Sequence, residues 1–300
     1  MQVNEPTLRI AVQKSGRLNE KSLKLLEKCG FQFEFIRGQL LCRDPLNPVE
    51  LLLVRDDDIP SFVKNQVCDI GVVGENVFEE VVLGDKEKAG DNPLQMLRKL
   101  GFGRCRLSLA VPKSQDYQSP TDLEGLTIAT SYPAITKDFL EAKGVKAKVV
   151  EISGSVEVAP AVGVADVITD LVSTGATLAS NGLKEVATLI KSEAILIQNN
   201  HSMRPEKKDM LDKLLQRLDG VMKAARSRYI MMNAAKTDID KICELLPGMD
   251  HPTIVPIGTD GKDVAIHAVA PEAVFWETME ALKAAGAHSI LVVPIEKIVE

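Results

Sequence analysis

The chain has 300 residues, 45% of them hydrophobic and 26% charged, with a formal net charge of -6. That is apolar material for two or three cores, and the negative balance excludes a surface that attracts nucleic acid or anionic lipid. Aromatic residues make up only 4%, too few for a base-stacking platform.

Residues 1–7, "MQVNEPT", are polar and no leader-like apolar stretch follows, so no secretory signal is expected. "LRIAV" (8–12) predicts a strand. A helix follows over 19–29, with Leu23, Leu26 and Cys29 at helical spacing and Gly30 as its stop. "FQFEFI" (31–36) alternates as a half-buried strand does. "VELLLV" (49–54) and "DIGVVG" (69–74) are continuous apolar runs, as in a sheet covered on both faces. Strands alternating with helices make this an α/β protein.

A second block echoes the first. "LTIAT" (126–130) repeats "LRIAV", and "VADVITDLVSTGATL" (164–178) repeats "VCDIGVVGENV" (67–77), each with an Asp before a buried strand and a glycine turn after it. Two similar lobes are expected, with a cleft where their strand ends meet, because ligands in open α/β sheets sit beyond the carboxyl ends of strands. The second lobe begins near 101, and "EVATLIKSEAILIQNN" (185–200) reads as strand returning to the first. An apolar stripe predicts a helix over 205–226. The segments after it run strand, helix, strand, strand, helix, strand, the ferredoxin-like order, with one sheet face that a partner subunit could cover. The expected domains are therefore 1–100 plus 185–225, 101–184, and 226–300. No apolar run reaches the roughly 18 residues of a membrane span. The cysteines (Cys29, Cys42, Cys68, Cys105, Cys243) form no C-x-x-C and read as reduced, buried thiols of a cytoplasmic protein. The four histidines are dispersed, so no protein-held metal is expected.

Several strand-end turns can carry chemistry. "DLVSTGATL" (170–178) places Ser173, Thr174 and Thr177 around Gly175 at a strand-to-helix turn. Backbone N–H groups there can cradle a phosphate, and Asp170 can accept from sugar hydroxyls. An ordinary hydroxyl-capped helix start is the plainer alternative. The turn is neither a Walker A motif nor G-x-G-x-x-G. "QKSGR" (13–17) brings Lys14 and Arg17 to a Ser–Gly turn, either for a polyphosphate or as a solvated basic turn. In "RDDDIP" (55–60), Asp58 can simply cap the next helix, or Arg55 and some of the aspartates contact substrate or one another across the cleft. "GENV" (74–77) offers Glu75 and Asn76 to a base or sugar, and "TSYP" (130–133) offers the Tyr132 ring for stacking. Glu157, in "GSVEVAP", is either a cap or a cleft carboxylate.

These segments, with "CRLSLA", "YIMMNA", "PTIVPI" and "ILVVPIEK", resemble the long form of ATP phosphoribosyltransferase over essentially the whole chain. The resemblance implies two lobes like those of periplasmic binding proteins, plus a ferredoxin-like C-terminal domain that binds histidine as feedback inhibitor. It implies joining of ATP, at adenine N1, to phosphoribosyl pyrophosphate (PRPP), with Mg2+ carried by the phosphates, in a cytoplasmic homo-oligomer ranging from dimer to hexamer. Carried onto this chain, Ser173, Thr174, Gly175, Ala176 and Thr177 hold the 5-phosphate and Asp170 faces the ribose. Lys14, Arg17, Arg55, Asp56, Glu75, Asn76 and Tyr132 surround ATP. Arg17, Asp170 and Glu157 are the candidate catalytic groups, and Asn233, Thr253 and Ser289 the histidine contacts. His251 departs from the family pattern, where an Arg is common. A non-catalytic cytosolic sensor of nucleotides or solutes is the competing reading.

Overall fold

A computed structural model describes residues 6–36, 38–87, 92–201, 203–246, 251–259 and 261–299, without the side chains of 273–277. Residues 1–5 of the polar opening lie outside it. The chain divides into two compact units, residues 1–27 with 31–210, and residues 28–30 with 211–300.

The first unit holds two lobes. In the first are β1 (Leu8–Gln13), α1 (Asn19–Lys28), β2 (Leu41–Arg43), β3 (Val49–Val54), α2 (Ile59–Lys64), β4 (Ile70–Gly74), α3 (Glu75–Glu87) and β5 (Leu94–Lys99). The second has β6 (Cys105–Pro112), β7 (Thr127–Thr130), α4 (Pro133–Lys143), β8 (Lys148–Glu151), β9 (Val167–Val172), α5 (Ala176–Ser180) and β10 (Leu183–Ser192). The chain then returns as β11 (Ala194–Asn199). The sheet orders are β2-β3-β1-β4-β11-β5 and β10-β6-β9-β7-β8.

The sequence echo has a structural counterpart. β1 pairs in parallel with β4, and β7 in parallel with β9. The Asp ahead of each second strand fixes that pairing: Asp69 accepts the Arg9 N–H (2.8 Å) and Asp166 accepts the Thr127 N–H (2.7 Å). The strand cores are apolar on both faces. In the second lobe Ala110, Ile168 and Val172 pack with Leu178 on one side, while Leu109, Val111 and Val167 pack with Leu140 on the other. Such continuous burial is what the apolar runs require.

Two expectations are corrected. Residues 31–36 form no strand. The Gln32 N–H is taken by the Asp44 side chain (2.6 Å) and Phe35 and Ile36 are exposed, so neither a ladder nor a buried face holds the alternation in a sheet. The run 185–200 is two strands in two sheets: β10 pairs with β6, and β11 with β4 and β5. The return to the first lobe therefore falls at Glu193.

The lobes are joined by two crossings bonded side by side. The Leu100 N–H reaches the Ala194 carbonyl (2.9 Å), and the Ala194 N–H reaches that of Phe102 (2.8 Å). Gly103 lies between β5 and β6 with φ +69°, and Leu18 fills the space a Cβ would need, so the position demands glycine on both counts.

The second unit takes most of α6 (Pro205–Ala225), whose Leu211, Leu214, Leu218, Val221 and Ala224 are buried. The structural division thus falls inside this helix rather than after it. Beyond it come β12 (Ser227–Ala235), α7 (Ile239–Leu245), β13 (Thr253–Ile257), β14 (Asp263–Pro271), α8 (Glu272–Ala284) and β15 (His288–Pro294). The sheet β13-β14-β12-β15 is antiparallel, the ferredoxin-like order. Ile230, Met232, Ile266 and Leu282 form its core, while Leu291 and Val293 stay exposed.

Candidate functional site

The loop after β9 is open to solvent. Ser173, Thr174, Ala176 and Thr177 are exposed. Gly175 sits at φ +81°, the left-handed conformation that turns the chain into α5. The first inward bond is the Ala179 N–H to the Gly175 carbonyl (3.0 Å). The N–H groups of Thr174, Gly175 and Thr177 meet no protein acceptor among the described residues. Since α5 has five residues, what the loop offers an anion is these local donors and hydroxyls rather than a long-helix dipole.

Arg17, from the first lobe, donates to the Ser173 hydroxyl across the cleft. Lys14 lies on the same turn, exposed, with its N–H held by the Val54 carbonyl (2.7 Å). Behind the loop, Asp170 is partly buried and accepts the Leu171 N–H (2.7 Å). Burial raises its carboxyl above the usual range, against the pull of that N–H, and the charge of Glu157 adds to the rise. Glu157 itself is half-buried on a single 3-10 turn.

Arg55 and Asp57 are exposed at the end of β3. Asp58 occupies the capping position of α2 but makes no capping bond with its side chain. One oxygen of Asp56, Oδ1, is buried without a partner. Burial first, and the Asp57 charge second, push the Asp56 carboxyl up to about 6.

Three residues that the sequence assigns to the nucleotide are engaged by the protein itself. Glu75 pairs with Lys99 (2.6 Å). Asn76 accepts from the Ser192 hydroxyl (2.7 Å) and donates to the Tyr132 hydroxyl (2.9 Å). The Tyr132 ring packs against the first lobe's core, and burial raises its pKa, with Asp57, Asp56 and Asp170 adding to the rise. Asn76 and Tyr132 thus bridge the lobes.

A further bridge had no sequence signal. Glu80, on α3, accepts the N–H groups of Ala134 (2.7 Å) and Ile135 (3.0 Å) at the start of α4. Burial holds its carboxyl above the usual range despite those two donors. Arg106 and Glu185 were also missed; they form an ion pair beneath the loop. All five thiols are free, and Cys105 and Cys243 are half-buried rather than buried.

In the second unit, Asn233 lies opposite His288, and Thr253 opposite His267. Ser289 has φ +52° where β15 slips register against β12, a bulge that re-aims the strand. Thr253, Ser289 and His251 are exposed. Among the described residues no cluster of three His, Cys, Asp or Glu could hold a metal ion, and no helix is long and apolar enough to cross a membrane.

Residues 55–220 match the family model described as HisG, ATP phosphoribosyltransferase, and residues 224–297 that of the HisG C-terminal domain. Among solved structures, the ATP phosphoribosyl transferase (HisG:HisZ) complex from Thermotoga maritima is similar at 29% identity and TM-score 0.58, over 71% of this chain and 99% of that one. The alkanesulfonate-binding protein SsuA from Xanthomonas axonopodis pv. citri is similar at 15% identity and TM-score 0.44, over 71% and 73%.

Proposed function

The chain belongs to the ATP phosphoribosyltransferase family in its long form, the enzyme of the first step of histidine biosynthesis, and we propose that the Ser173–Thr177 loop seats the 5-phosphate of PRPP. What supports this seat is the set of N–H groups at Thr174, Gly175 and Thr177 that meet no protein acceptor among the described residues, next to Ser173, whose hydroxyl Arg17 holds from the other lobe.

The reaction joins adenine N1 of ATP to the anomeric carbon of PRPP and releases pyrophosphate. N1 is a modest nucleophile, and the anomeric carbon gives up pyrophosphate through an oxocarbenium-like state. The protein's task is alignment of the two substrates and stabilisation of the departing charge. Thr174, Gly175, Ala176 and Thr177 anchor the phosphate and Asp170 orients the ribose hydroxyls. Arg17 and Lys14 meet the pyrophosphate. Glu157, beside Asp170, faces the positive charge that develops on the sugar. Arg55 and Asp56 flank the nucleotide. Glu75, Asn76 and Tyr132 shape the nucleotide's surroundings through their bonds to the protein.

Mg2+ is commonly used by this family. The donor set fits an ion carried by substrate phosphates, since the cleft offers the scattered carboxylates Asp170, Glu157 and Asp57 rather than a cage. When bound, it neutralises charge on the leaving pyrophosphate.

Histidine inhibition acts through Asn233, Thr253 and Ser289. The protein works in the cytoplasm as a homo-oligomer, dimer to hexamer. Pyrophosphate release on mixing the protein with ATP, PRPP and Mg2+ tests the catalytic reading. Binding of both nucleotides without release would favour a sensor.

A further inference from the structure

The second-lobe motif "CRLSLA" has no role in the scheme above. Its Arg106 is at the start of β6, opposite Val172, the last residue of β9 before the phosphate loop. The guanidinium Nε and one terminal nitrogen both donate to the Glu185 carboxylate. The other terminal nitrogen donates to the Ser173 carbonyl (3.2 Å). Glu185 also accepts from the Ser108 hydroxyl (2.8 Å). Hydrogen bonding from Arg106 holds the Glu185 carboxyl below its usual range.

Two features make this more than a surface ion pair. First, β10 is irregular on both sides of the relevant stretch, with register shifts between Glu185 and Ala187 and between Thr188 and Ile190. In this register Glu185 lies opposite Ala110 and Lys191 opposite Arg106; bulges of this kind re-aim side chains, and the Glu185 carboxylate reaches along β6 past Ser108 to the guanidinium. Second, the fork leaves its remaining terminal nitrogen for one acceptor only, the loop's first carbonyl. An arginine held bidentately has little rotational freedom, so the position of Ser173 is fixed by the sheet rather than by the loop's own conformation. Arg17 holds the hydroxyl of the same residue from the other lobe.

We propose that Arg106, held by Glu185, is a positioning residue for the phosphate loop: it fixes the Ser173 carbonyl so that the N–H groups after it converge on one anion. This rests on the reading of that loop as the seat of PRPP. In the full-length protein, Arg106→Gln is expected to raise KM for PRPP about tenfold and leave KM for ATP within about twofold, because a single misplaced binding element costs on this scale. Glu185→Gln, which keeps the side chain's shape, shifts the same constant in the same direction by less. The double variant is no worse than Arg106→Gln alone, since both act through one contact. Arg106→Lys retains charge without the fork and falls between wild type and Arg106→Gln; it carries the test if Arg106→Gln does not fold. Unchanged KM for PRPP, parallel rises in both KM values, or additive single effects would overturn the proposal. Thr174→Ala, measured alongside, separates the two layers. If it spares PRPP binding, the loop is not the phosphate seat. If it weakens PRPP binding while the Arg106 variants do not, only the positioning role fails.

Discussion

Two turns of the second lobe begin alike and end differently. Each follows a parallel strand, β7 or β9, and each leads into a helix at the cleft. At the start of α4 the Ala134 and Ile135 N–H groups are filled by Glu80 from the facing lobe. After β9 the N–H groups of Thr174, Gly175 and Thr177 meet no protein acceptor among the described residues, and that of Ala176 meets only the loop's own Thr174 hydroxyl (3.5 Å). Local geometry alone does not distinguish an anion site from a structural contact. What distinguishes them is whether the rest of the chain supplies its own carboxylate.

The comparison breaks most readily at Gly175. A valine there must adopt a left-handed backbone, which costs a β-branched residue heavily. Gly175→Val is expected to lower kcat/KM for PRPP about a hundredfold, as misplacement on the ångström scale does, with Thr174→Ala about tenfold. Steady-state kinetics with each substrate varied in turn is the check, and equal losses for ATP would remove the contrast between the turns.

Asp56 extends the comparison to the first lobe, as a buried acceptor whose Oδ1 meets no donor. Its carboxyl titrates from 3.8 when unfolded to about 6 when folded. Folding therefore takes up a proton between those values, and the group's contribution to stability falls as pH rises through that window and stays unfavourable above it. Asp56→Asn should stabilise the ligand-free protein by about 2 kcal/mol at pH 8, with the gain disappearing below pH 3.8. Calorimetric melting across that range tests it; a less stable variant at pH 8 would mean that the carboxylate has a favourable partner.

Emptying the filled turn is the converse experiment. Glu80→Ala leaves two N–H groups bare and should cost about 1.5 kcal/mol of stability. Inorganic phosphate should then protect the variant against melting more than it protects the wild type. If phosphate makes no difference, vacancy alone does not create an anion site. The smallest effect belongs to the second unit: Asn233→Ala is expected to weaken histidine inhibition about fivefold, the scale of one lost hydrogen bond, and to leave uninhibited kcat unchanged. Inhibition curves at saturating substrate measure both.

Periodicity made β1, β3, β4, β7, β9 and the βαββαβ tail legible, because buried sheets and amphipathic helices write themselves into neighbouring residues, whereas β2, β5 and β8 carry no such signal and the alternation of 31–36 misled. The sequence also pointed to Ser173–Thr177, since a glycine flanked by hydroxyls after a buried strand is a local signal. It could not show Glu80, whose partners lie 54 and 55 residues away, nor the Arg106–Glu185 pair, separated by 79. The same limit explains Tyr132. Its ring is available for stacking as far as the sequence can tell, but the fold packs it on the first lobe's core. In β10 and β11 a continuous β-pattern concealed a change of sheet, because no glycine or proline marks the break at Glu193.

That change of sheet is made by Glu193 alone, between Ser192 and Ala194. A one-residue joint has two soft torsions, and its companion crossing contributes the left-handed Gly101 and Gly103. Any movement of one lobe against the other is taken up at these two short, mutually bonded crossings. Asn76 is tied to Ser192 beside that joint (2.7 Å). Its bond to Tyr132 (2.9 Å) thus ties the two lobes together beside their crossings, apart from the contact that Arg17 makes with Ser173.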